Sequence, residues 1–173
     1  MAFIVPNIPK VLKNFRVYID GFDTGNNVSE ITLPKITQKI EELKLGRFTL
    51  PVSMGLEKLE CELTFYEISL EFFAQWGLLN NSAGQLVSFR GYQEQNEKNS
   101  NMIQIEMRGI FSEVDLGAPK RGEASTHKVV VALTQFTYRL DNLPVLVIEP
   151  LTNTFIINGV NQLAKEKEAL GLI

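Results

Sequence analysis

Cys61 and His127 are the residues best equipped for nucleophilic or metal chemistry, and each is the sole member of its type in 173 residues. A zinc site of ordinary composition needs three or four converging Cys, His or carboxylate donors, and a catalytic triad needs a framed nucleophile beside its histidine. Neither pattern is present around them. Gly109, Gly117 and Gly122 do not lead from a strand into a helix with the spacing of a phosphate-binding loop. The carboxylates suggest a third chemistry, because two of them across a cleft suffice for glycoside hydrolysis. Glu60 and Glu62 share one side of an alternating stretch, and Glu106 lies on another such stretch. Alternation of Lys58, Glu60 and Glu62 with Leu59, Cys61 and Leu63 is, however, what a solvated sheet face looks like. Cys61 falls on the apolar side, where a lone thiol acts as a small hydrophobe. The residues give no catalytic or metal constellation, and no cofactor is expected.

The elements that carry these residues are mostly strands. Ile103, Ile105, Met107 and Phe111 alternate with Gln104, Glu106 and Arg108, and Lys128 to Leu140 is a long run rich in Val, Thr, Phe and Tyr. The polar segment between them, with Gly117, Pro119 and Gly122, reads as the connection of a long hairpin that forms the spine of a sheet. The second run changes phase: Val129, Val131 and Leu133 are odd-numbered, Phe136, Tyr138 and Leu140 even. Either its first half is buried on both faces, or a bulge near Thr134 and Gln135 swaps the faces. Further strands are expected around 15–19, 28–33, 59–65, 86–92, 145–148 and 154–157. Gln93 to Asn101 reads as an exposed polar loop and residues 1–13 as an extended arm. Short helices are expected at 69–76, with Ser69 as cap and Leu70, Phe73 and Trp76 on its packed face, and at 160–170.

Composition narrows the function. The chain is 45% hydrophobic and 21% charged, which is ordinary for a globular protein, and residues 1–173 read as one antiparallel β domain. A net charge of −3 with dispersed Lys and Arg argues against a nucleic-acid-binding surface. No apolar run approaches the ~20 residues of a membrane helix. Pro6 and Pro9 break the N-terminal segment, so no signal peptide is expected.

One stretch resists a place in a small sheet. Gly46 to Gly55, between two strands, reads as a connection of mixed polarity, yet it holds Phe48, Leu50, Pro51, Val52 and Met54. Apolar residues on a projecting segment need a partner surface. Two readings accommodate them: a subunit that closes a larger barrel with its neighbours, or a monomeric β-sandwich whose arm folds back, such as a carbohydrate-binding module.

An ordered set of motifs bears on that choice. Thr32-Leu33-Pro34-Lys35, Pro51-Val52 with Met54-Gly55-Leu56-Glu57, Phe89-Arg90-Gly91 and Met107-Arg108-Gly109 come first. Then follow Glu113-Val114-Asp115-Leu116-Gly117, Lys120, Gly122-Glu123, Ile157-Asn158-Gly159-Val160 and Leu170-Gly171-Leu172. The series resembles the major tail tube proteins of contractile-tailed phages and R-type pyocins over nearly the whole chain. Asn161 stands where relatives commonly carry Asp, and Ser53 where they often carry an acid.

The resemblance implies a non-enzymatic structural subunit. Its fold is an antiparallel β-sandwich or partial barrel with two short helices and a long hairpin arm at about 42–57. Strands would join across six copies into a ring barrel, and rings would stack into a conduit for DNA or effectors. It also implies partners: further copies of itself, the surrounding sheath protein, and baseplate and tail terminator proteins. DNA would pass without specific binding, and the location would be the virion tail, assembled in the bacterial cytoplasm. Arg47, Phe48, Leu50, Pro51, Val52 and Met54 become inter-subunit arm residues. Lys58, Glu60, Glu62, Gln104, Glu106 and Arg108 become candidates for a lumen face with excess acid.

Overall fold

The computed structural model describes residues 9–70, 72–73, 84–95 and 99–172. They are organised as two compact units, one drawn from 1–28, 78–109 and 134–173, the other from 29–77 and 110–133. Strands β8 (Asn99–Asp115) and β9 (His127–Leu140) run through both, and the described residues are mainly strand.

In the first unit the strands are β1 (Val11–Ile19), β2 (Phe22–Asp23), β7 (Gln85–Gln95), β10 (Leu143–Glu149), β11 (Thr154–Ile157) and β12 (Val160–Asn161), with segments of β8 and β9. Their spatial order is β12-β11-β10-β9-β8-β7-β1-β2, and the sheet stays open, with β12 and β2 as its ends. Val17, Ile19, Val87, Phe89, Ile103, Ile105 and Met107 alternate along β1, β7 and β8 and are all buried. Two Asp side chains seal loop ends to strand backbones: Asp20 accepts from Leu86 N–H and Asp141 from Met102 N–H, both at 2.8 Å.

In the second unit β3 (Val28–Thr32) pairs with β6 (Glu60–Phe65), and β6 pairs antiparallel with the first half of β9, Cys61 opposite Val131 and Leu63 opposite Val129. These four side chains are buried. Separately, β4 (Gln38–Leu45) and β5 (Phe48–Leu56) form a two-stranded sheet of their own.

The phase change in β9 stands: Val129 and Val131 are buried before it, Phe136 after it. It coincides with a change of partner. Residues 127–132 pair with β6 and residues 136–140 with β10, so each half faces a different core.

Four expectations need correction. The stretch 46–55 is not a loose connection but β5, closed against β4 by the two-residue turn Gly46-Arg47. Gly46 has φ +62°, the left-handed value that a tight hairpin requires at its first central position. Pro51 fits in β5 because it lies opposite Glu42, three pairs beyond Leu45 and Phe48, a non-hydrogen-bonded position whose backbone nitrogen points away from β4 and leaves no ladder bond unmade. The polar run 93–101 is mostly strand too, with Gln93 opposite Asn101 and Gln95 opposite Asn99. Neither face of that extension is fully buried, so no apolar period marked it.

The Asn-Gly-Val sequence is a hairpin turn rather than a helix start. Asn158 and Gly159 both have positive φ and join β11 to β12, as Asn-Gly does in two-residue hairpins. The terminal helix α1 therefore begins only at Ala164 and ends at Ala169, with Asn161 Oδ1 accepting from Leu163 N–H at 3.0 Å just ahead of it. In the other expected helix, Leu70, Phe72 and Phe73 are helical, and Ser69 Oγ accepts from Phe72 N–H at 3.4 Å as a weak cap. Its packed residue is Phe72, against Phe111 at 5.2 Å and Phe65 at 5.7 Å, while Leu70 and Phe73 are exposed. Trp76 lies outside the described residues.

The polar connection after β8 depends on Gly117, whose N–H donates to Asp115 Oδ1 at 2.8 Å and whose φ is +70°. A Cβ there would stand 2.4 Å from the Thr126 carbonyl oxygen. Gly117→Ala is expected to destabilise the chain by about 2–3 kcal/mol, combining left-handed strain with a forced backbone shift. Urea titration against the parent protein measures it.

Candidate functional site: an amphipathic hairpin arm

Cross-strand pairing fixes which arm residues share a face. Leu45 lies opposite Phe48, Leu43 opposite Leu50 and Glu41 opposite Val52; Lys44 lies opposite Thr49, Glu42 opposite Pro51 and Ile40 opposite Ser53. Directly opposed residues point the same way, and side chains alternate along each strand. One face thus carries Leu43, Leu45, Phe48, Leu50, Val52 and Met54 as an apolar stripe, with Glu41 beside Val52 toward the root of the arm. The other is mostly polar. Along the arm only Val52 and Leu56 are even half-buried, and Phe48 at the tip is 80% exposed.

An isolated two-stranded hairpin is marginal in water, and an unpartnered stripe of six large apolar side chains makes it more so. The arm is tied down at its base, where Glu57 N–H donates to the Thr37 carbonyl at 2.8 Å, and Lys39 bridges Glu41 at 3.4 Å along its length. Of the arm residues expected from sequence, Phe48, Leu50, Val52 and Met54 fall on the apolar face. Pro51 faces the other way, and Arg47 sits in the turn. Leu43 and Leu45 belong to the stripe and were missed, although their place in β4 opposite a β-compatible run was the signal that could have found them.

The remaining candidates are dispersed. Glu60 is ion-paired with Lys58 at 2.5 Å, and Glu62 with Lys128 at 3.0 Å, an interaction that raises the Lys128 ammonium above its ordinary pKa. Glu106 pairs with Arg139 at 2.9 Å. Each carboxylate is thereby matched to a cation on a sheet face. In the first unit, Gln104, Glu106 and Arg108 do share a half-exposed face, as expected. That face also carries Arg16 opposite Arg90, with Arg90 over the Tyr18 ring at 5.3 Å, and Arg139. Four arginines stand there against Asp23, Glu94 and Glu106, so the expected excess of acid is not found on it. Asp23 is held below its ordinary pKa, first by the Gly25 N–H at 2.8 Å and then by Arg16 at 2.5 Å. Phe15, Tyr18, Tyr92 and Met102 border a shallow hollow of about 320 Å³ beside these arginines.

His127 donates from Nδ1 to the Leu116 carbonyl at 2.8 Å, closing the loop between β8 and β9. No group of three or more His, Cys, Asp or Glu suited to a metal ion occurs among the described residues. Cys61 is 1% exposed, and burial pushes its thiol up to about 12. In the unfolded chain the thiol ionises near pH 9, so between pH 9 and 12 the unfolded state holds fewer protons than the folded one. Stability from this group is complete below pH 9 and falls as pH rises above it. At pH 8 a thiol reagent is expected to label Cys61 only as fast as the chain unfolds, and the native protein to stay silent.

Residues 9–171 match the protein family described as phage tail tube protein FII. The chain is 27% identical to the tail tube protein of Escherichia phage P2 over 173 residues, covering 95% of this chain and 99% of that one. Two solved structures share the fold. The sheath/tube terminator of the extracellular contractile injection system PVC aligns with TM-score 0.61 at 8% identity, covering 78% of this chain and 99% of that one. The sheath-tube complex of the same system aligns with TM-score 0.58 at 9% identity, covering 79% and 93%.

Proposed function

This chain belongs to the phage tail tube protein FII family, and from that premise we propose that it builds the inner tube of a contractile tail or injection system by assembling with copies of itself into stacked hexameric rings. The single observation that carries this reading is the arm, with five apolar side chains on one face, Leu43, Leu45, Phe48, Leu50 and Met54, that stay exposed. The open ends of the first unit's sheet, β12 and β2, support it as well. Unpaired strand edges invite another chain, and ring closure removes them.

The tube is the conduit for DNA or effectors, and it acts as a wall rather than as a catalyst. Its partners are the sheath outside, the baseplate at one end and the terminator at the other, in the virion tail and after assembly in the bacterial cytoplasm. Lys58, Glu60 and Glu62 remain lumen candidates in the second unit. Gln104, Glu106 and Arg108 line a lumen only if its wall tolerates the neighbouring arginines.

Negative-stain microscopy of the purified chain at high concentration tests the proposal. Tubes or rings with six-fold symmetry are the expected result. A monomer at every concentration, ionic strength and pH tried would overturn it.

A further inference from the structure

Six arginines and eleven lysines supply the chain's cations, and they are not spread evenly. Arg16, Arg90, Arg108 and Arg139 gather on the outward face of the first unit's sheet. No lysine joins them from β7, β8 or the part of β1 beyond its bulge, which contain none. Tyr18, Tyr92 and Met102 stand on the same face. A guanidinium sheds its water more readily than an ammonium and grips a carboxylate with two parallel bonds. Arginine, tyrosine and methionine without lysine is the composition of a surface that another protein covers.

Two of these guanidiniums are already matched, Arg16 by Asp23 and Arg139 by Glu106. Arg90 lies over the Tyr18 ring and Arg108 is half-exposed, and neither has a carboxylate partner among the described residues. Glu94, the remaining acid of the face, lies four residues along β7 from Arg90, about 13 Å away.

Register sets the spacing of the two unmatched groups. Tyr92 pairs with Met102, Arg90 with Gln104, Ser88 with Glu106 and Leu86 with Arg108, so these rows follow one another at about 6.6 Å along β8. The hollow bordered by Phe15, Tyr18, Tyr92 and Met102 opens at the first two rows, and its lining includes Arg16 and Arg90 but no carboxylate. Along the face the order is an apolar hollow, an unmatched guanidinium, the paired Glu106 and a second unmatched guanidinium.

We infer that this face docks an extended segment of another protein. An aromatic side chain of that segment fills the hollow, a carboxylate two residues on meets Arg90, and a second carboxylate four residues further meets Arg108. The position between the carboxylates faces Glu106 and takes a neutral side chain. A nucleic-acid backbone carries a charge at every step and would be pressed against Asp23 and Glu106, so the interleaved acids favour a protein. Read in either direction, the chain's own sequence offers this spacing only around Glu67 and Glu71, where Phe65 is buried and Phe73 is helical. The self-assembly proposed above draws on the arm and the sheet ends rather than on this mid-sheet face, and the inference does not depend on it.

Fluorescence anisotropy with the whole chain and a labelled peptide tests it. The peptide carries phenylalanine, aspartate two positions on, aspartate again four positions further, and serine elsewhere. Saturable binding is expected, weakened about tenfold by Arg90→Ala and by Arg108→Ala. Arg121→Ala, in the loop between β8 and β9, should leave it unchanged, as should far-UV circular dichroism in all three variants. Equal binding of a peptide with its two aspartates adjacent would overturn the docking site, as would tighter binding of an oligothymidylate of the same charge. No saturable binding at millimolar peptide would overturn it too. Loss of tubes in Arg90→Ala with the peptide unbound would assign the face to a contact between copies, against the inference, and leave tube formation by the parent chain standing.

Discussion

Replacing Phe48 and Leu50 together by Asp is expected to abolish tube formation while leaving the monomer folded. Both side chains lie on the apolar face of the arm, opposite Leu45 and Leu43, and neither is buried in the chain itself. Covering a large apolar side chain contributes about 1.5–3 kcal/mol, so losing two such contacts removes roughly 3–6 kcal/mol from each arm. Carboxylates placed in a closing interface add a desolvation cost to that loss. At ~1.4 kcal/mol per factor of ten, the concentration needed for assembly rises by more than about a hundredfold. Thermal unfolding of the dilute monomer should move by no more than a few degrees, since nothing in either core touches the altered groups. Sedimentation velocity, microscopy and a melting curve on the same sample separate the two effects. A large loss of monomer stability would mean that the arm packs on its own chain.

Leu63→Ala is expected to act in the opposite way. Leu63 is 0% exposed on β6, opposite Val129, with Cys61 and Phe65 on the same side of the strand. Emptying such a site costs about 3–5 kcal/mol, the transfer of the removed atoms plus the cavity left behind. Against a typical total of about 5–15 kcal/mol, the variant sits near the edge of folding at 37 °C. Chemical denaturation should show the full loss in the monomer, and assembly should fail because folded chain is scarce. Glu62→Ala, one residue away, removes a half-exposed ion pair with Lys128 and should cost less than about 1 kcal/mol. The pair of variants distinguishes core from face on a single strand.

Much of this architecture is legible in the residues because period-two alternation reports half-burial directly. β6, β8 and the strand at 15–19 are recovered for that reason, down to which of Leu59, Cys61 and Leu63 point inward. What alternation cannot report is pairing. β5 does not stand out in the sequence because its mixed polarity suits a connection equally well, and because its apolar face has no core of its own to meet. Asn158-Gly159 suits both a helix boundary and a hairpin, and only the pairing of Ile157 with Val160 separates the two. One short helical turn gives no reliable period, so the sequence does not separate Phe72 from Phe73 as the packed residue.

The arm itself is legible as an anomaly, because Phe48, Leu50, Pro51, Val52 and Met54 have no place in a small sheet. Its two-faced form is not, since the membership of Leu43 and Leu45 depends on register. The face with Gln104, Glu106 and Arg108 was legible as a face. The arginines beside it come from β1, β7 and β9, strands far apart in the chain that only tertiary pairing brings together.

Hydrogen exchange of the arm amides, compared between dilute monomer and assembled protein, tests the central claim most directly. The account requires that the apolar face of residues 38–56 be covered by another copy. Exchange there should be rapid in the monomer, as in a marginal hairpin, and slowed by at least a hundredfold in the assembly. Equal, rapid exchange in both states would mean that the arm has no partner, and strong protection already present in the monomer would mean that the chain covers its own arm.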